Sequence, residues 1–61
     1  MDKSTIKKSL AEIDAKLVDM IDNLDFGEFA SDIEYSDMNN ALAKALNGVR
    51  DAIWTVDGQQ D

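Results

Sequence analysis

Apolar residues recur through the first third of the chain at Ile6, Leu10, Ile13, Leu17, Met20 and Leu24, at alternating separations of four and three. That alternation keeps one stripe of an α-helix apolar, the heptad seam by which helices pair. Val18 and Ile21 lie beside the seam and widen it, which suits a helix that packs against two neighbours. Ser4 or Thr5 offers a side-chain oxygen to free backbone N–H groups at the start. The pattern predicts a helix over residues 5–24.

Phe26, Phe29, Ala30 and Ile33 then fall at helical spacing on one face. Asp25, with Glu28 three residues on, resembles a capping box in which Asp replaces Ser or Thr. Gly27 works against a helix here by about 1 kcal/mol relative to Ala. Residues 26–34 are therefore expected as a short helix or an ordered loop, with Phe26 and Phe29 as core beneath the connection.

Ser36 reads as the next N-cap, with Asp37 in the first turn where the helix dipole favours negative charge. Met38, Leu42, Leu46, Val49, Ile53 and Val56 keep helical spacing, so a second long helix is expected over 37–56. Beside them runs a stripe of small residues, Ala41, Ala45, Gly48 and Ala52, which lets another helix backbone approach closely. Asn47-Gly48 is a turn-forming pair, yet the apolar phase passes through it without a slip. Gly58 reads as a stop signal, followed by a polar tail within 57–61. Trp54, next to Ile53, is expected to be partly covered at the bundle margin; the alternative is an interface anchor.

The expected fold is all-α: a single domain, 1–61, forming a helical hairpin of two long helices with a short connecting helix. Folding the second helix back antiparallel brings Lys7 and Lys8 near Asp51 and Asp57. A chain of 61 residues buries only about 60% of its unfolded surface. Domains this small usually need a disulfide, a metal or a second copy. The sequence has no Cys and no His, but nineteen large apolar side chains between Ile6 and Val56. The expected remedy is a homodimer, a four-helix-type bundle whose oligomer seam is Leu10, Ile13, Leu17 and Met20.

Charge changes the picture further. Asp19, Asp22, Asp25, Glu28, Asp32, Glu34 and Asp37 fall between residues 19 and 40, where there is no base. Residues 1–18 carry +1 and residues 41–61 carry −1, so the middle segment holds −7, equal to the net charge of the chain. Charge concentrated in this way resists compaction unless it is bound or projects into water. On a helix, acids three or four apart lie about 5–6 Å from each other, so these residues form rows of like charge.

Several functions lose support. Six bases against thirteen acids repel a phosphate backbone and an anionic membrane surface. Asp25-Phe26-Gly27 copies the magnesium motif of protein kinases, but the other kinase elements are missing. With Gly27 at the glycine position of an EF-hand loop, Leu24, Phe26 and Ile33 occupy ligand positions, and the pattern fails. No spacing singles out an activated Ser–Lys pair, and a hairpin of this size encloses no cleft for substrate. No catalytic residue, metal site or cofactor is expected. Without an export or lipid signal or a membrane-length apolar run, the expected location is cytoplasmic.

The expected function is a non-enzymatic, acidic protein–protein interaction module, regulatory or inhibitory, whose seven central acids bind a basic surface of a partner protein. A sharper version imitates nucleic acid toward a nucleic-acid-binding protein. The alternative is a structural homo-oligomerisation module in which the acids serve solubility.

Overall fold

The computed structural model describes residues 1–58. Two α-helices, α1 (Lys3–Asp22) and α2 (Asp32–Val56), pack against each other and are joined by a 3-10 turn at Phe26–Glu28. No strand occurs among the described residues. The hairpin is a rod, 42 × 20 × 16 Å, with a radius of gyration of 14.3 Å; a compact chain of this length has about 10.5 Å.

α1 begins earlier than the expected residue 5. Asp2 is the N-cap, extended at φ −83° and ψ 169°, and its Oδ1 accepts from the Thr5 N–H at 2.8 Å. Asp caps as well as Ser or Thr does, and this cap places Ser4 and Thr5 inside the first turn. The Thr5 backbone and hydroxyl contacts hold the Asp2 carboxyl below its ordinary pKa. At the other end Asn23 closes the helix, with Nδ2 donating to the Asp19 carbonyl at 2.8 Å and to Asp19 Oδ1 at 3.0 Å.

α2 also begins earlier, at Asp32 instead of 37. Its N-cap is Ser31, whose hydroxyl accepts from the Glu34 N–H at 3.2 Å. Glu34 Oε1 reaches back to the Ala30 N–H at 3.3 Å, so the Ser-x-x-Glu sequence closes a reciprocal cap. Asp32 and Glu34 then occupy the first turn, where the dipole favours them. Ser36, expected as the cap, lies inside the helix. The short helix considered over 26–34 reduces to the 3-10 turn, because the backbone is extended at Phe29 and Ser31. The helix runs unbroken through Asn47-Gly48 and ends before Gly58, whose φ of 98° is the left-handed geometry glycine supplies at a C-terminus. Of the polar tail expected over 57–61, residues 59–61 lie outside the described residues.

The contact between the helices follows a regular heptad on α2: Tyr35, Asn39, Leu42, Leu46, Val49, Ile53 and Val56 are all half-buried. On α1, which ends at Asp22 and not at the expected residue 24, the half-buried set includes Leu10, Asp14, Leu17 and Ile21, and Leu24 just beyond the helix is half-buried too. This seam shares its leucines with the expected one but uses Asp14 and Ile21 where Ile13 and Met20 were expected. The apolar stripe of α1 is thus wide enough for two seams meeting at Leu10 and Leu17. One faces α2; the other, through Ile13 and Met20, does not.

Asp14 sits within the contact because Arg50 reaches it, Nε to Oδ2 at 2.9 Å. That hydrogen bond, and then the Asp14 charge, raises the Arg50 pKa. Lys7 meets Asp57 at 2.6 Å, one of the pairs the antiparallel fold led us to expect. Both ion pairs lie along one flank of the hairpin. At the turn, Tyr35 packs between two rings, 5.2 Å from Phe26 and 5.5 Å from Phe29 between centroids. No described side chain is fully buried.

Candidate functional site

Folding the chain into a hairpin brings residues 1–18, which carry +1, and residues 41–58, which carry no net charge, to the open end and middle of the rod. Residues 19–40, which carry −7, occupy the turn end. No base occurs between Lys16 and Lys44, and among the described residues the two ion pairs use Asp14 and Asp57, outside this block. The seven acids are all exposed.

They differ in what holds them. Asp19 accepts from Asn23. Asp25 accepts from the Gly27 N–H at 2.9 Å and shapes the 3-10 turn. Glu34 accepts from Ala30. These three carboxylates are partly committed to local backbone and cap geometry. Asp22, Glu28, Asp32 and Asp37 project from the last turn of α1, the 3-10 turn and the first turns of α2. Asp19 and Asp22 stand at the C-terminal end of α1, with no base in its last turn, where the dipole disfavours negative charge. The turn end therefore carries acids at a cost to its own helix, a local conflict of the kind associated with function or an unseen partner.

Two large apolar side chains lie among these acids. Phe26 is 54% exposed and Ile33 74% exposed. Phe26 keeps one side on Tyr35, so its position is fixed while more than half of it faces water. Neither is singled out as a binding residue by the sequence pattern, which puts both on one face of a short helix and assigns Phe26 to the core. The available signal was Gly27, which weakens the helix that spacing required. Trp54, expected at the margin, is 54% exposed.

The seam residues separate. Leu10 and Leu17 are half-buried in the hairpin, whereas Ile13 is 45% and Met20 49% exposed. Among the described residues there is no pocket, no group of three acids placed to hold a metal ion, and no helix long and apolar enough to cross a membrane. Comparison with protein-family models, curated proteins and solved structures finds no match for this chain.

Proposed function

We propose that this protein is a non-enzymatic interaction module that binds a basic surface of a partner protein through its acidic turn end. The observation that carries the reading is the separation of charge along the rod: the −7 of residues 19–40 lies at one end, and neither ion pair touches it. Such a field steers a basic partner toward that end and makes binding fall with salt. Exposed Phe26 and Ile33 among the acids supply apolar contact of the sort that anchors protein interfaces. That favours a basic rim around an apolar patch over a purely ionic groove. A partner that itself binds nucleic acid has such a basic surface, and occupying it makes the module an inhibitor.

The test uses Asp22, Glu28 and Asp37, which have no capping role. The triple variant Asp22→Lys, Glu28→Lys, Asp37→Lys keeps its helical circular dichroism and loses the basic protein captured by the wild type at low salt. Equal capture by both proteins across a salt series rejects the reading.

A second reading has its own support. The absence of any fully buried side chain among those described favours self-assembly into a dimeric four-helix-type bundle, since a hairpin without a core gains most by covering its apolar faces with a second copy.

A further inference from the structure

The chain exposes 4664 Å², whereas a compact monomer of its 6.8 kDa mass exposes about 3,950 Å². The excess, roughly 700 Å², approaches the about 800 Å² that each partner buries in a standard interface. We propose that a second copy of this chain docks antiparallel on the flank bearing Ile13, Met20, Met38, Ala41 and Ala45, with α2 crossing α2 beside Gly48. The inference rests on the self-assembly reading and names its surface and orientation.

The flank follows from helical geometry. Each residue advances about 100° around a helix of 3.6 residues per turn. From the line of Leu10 and Leu17, Lys7 and Asp14 lie to one side of α1, and Ile13 and Met20 to the other. On α2, Arg50 and Asp57 lie to one side of Leu42, Leu46 and Ile53, and Met38, Ala41 and Ala45 to the other. The pairs Lys7–Asp57 and Asp14–Arg50 show that the charged sides coincide. The apolar sides therefore coincide too, and Met38 there is 41% exposed.

A second copy fits this flank because the flank complements itself. A two-fold axis between Ala45 and Gly48 sets Ala45 against Gly48 and Ala41 against Ala52 of the other copy, an isologous contact. Small residues at the crossing allow axes about 8 Å apart, and Ile13, Met20 and Met38 close over the sides. Charge selects the direction. Parallel docking places two −7 ends side by side at a helix-packing distance, about one Debye length at physiological salt. Antiparallel docking sets each acidic end beside the neutral end that carries Lys3 and Lys8.

Gly48 provides the test, since a Cβ built there meets nothing within 4 Å and the hairpin accommodates a larger residue. Sedimentation equilibrium is expected to give the wild type twice the 6.8 kDa protomer mass, and Gly48→Leu the protomer mass with unchanged helicity. The chain has no Cys, so Glu28→Cys carries a single pyrene at the turn; an antiparallel dimer holds the two labels apart and gives no excimer emission. A wild type at protomer mass overturns the self-assembly reading and this inference together. A dimer that survives Gly48→Leu overturns the flank alone, and excimer emission overturns the direction.

Discussion

Ser31 and Ser36 show how one residue decides where a helix begins. Both serines are followed directly by Asp, Asp32 and Asp37, but only Ser31 has Glu three residues on, and that Glu34 closes the cap. Ser31→Ala is expected to lower stability by about 1 kcal/mol, whereas Ser36→Ala, inside the helix, leaves it unchanged within about 0.5 kcal/mol; urea unfolding of the two variants measures both. Asp2 makes the corresponding contact for α1. Its folded-state pKa is lowered, so the contact contributes at pH above the ordinary carboxyl range and is lost as pH falls through the lowered value. Amide shifts of Lys3 to Ile6 are expected to report fraying of the first turn below pH about 4. Asp2→Asn, a capping side chain without a charge, removes that dependence.

The elements were legible where period and packing agree. The four–three alternation marks both long helices, and the α2 seam from Tyr35 to Val56 holds it without interruption. The connection was less legible, because Phe26 and Phe29 match a helical face in spacing yet meet Tyr35 from a 3-10 turn and an extended residue. On α1 the sequence offers two overlapping seams, and spacing alone favours Ile13 and Met20, both apolar, over Asp14. The choice turns on Arg50, thirty-six residues away, a partner that local pattern does not reveal. The acidic block was evident as a run, whereas the commitment of Asp19, Asp25 and Glu34 to local contacts needed coordinates. Two outcomes belong to this scale. Tyr35→Ala, which removes both ring contacts, is expected to lower the unfolding free energy by about 2 kcal/mol, read from thermal or urea melts. Asp22→Lys, which replaces an acid by a base in the last turn of α1, is expected to raise stability by about 0.3–1 kcal/mol while weakening partner binding.

At the scale of the whole molecule, the hairpin sorts charge. Residues 1–18 carry +1 and residues 41–58 no net charge, and antiparallel folding gathers them away from the turn, so a 42 Å rod carries −7 at one end. The seven acids there repel one another, and neither ion pair relieves them. Like-charged neighbours on a helix cost about 0.2–0.5 kcal/mol per pair, and added salt screens that cost. The thermal midpoint followed from low to high sodium chloride at fixed protein concentration tests this most directly. For the wild type the midpoint is expected to rise by roughly 4–8 °C, the equivalent of about 1 kcal/mol in a domain of this size. With Asp22→Asn, Glu28→Gln and Asp37→Asn the rise is expected to shrink sharply. A wild-type midpoint that is flat or falls as salt increases contradicts an uncompensated acidic end.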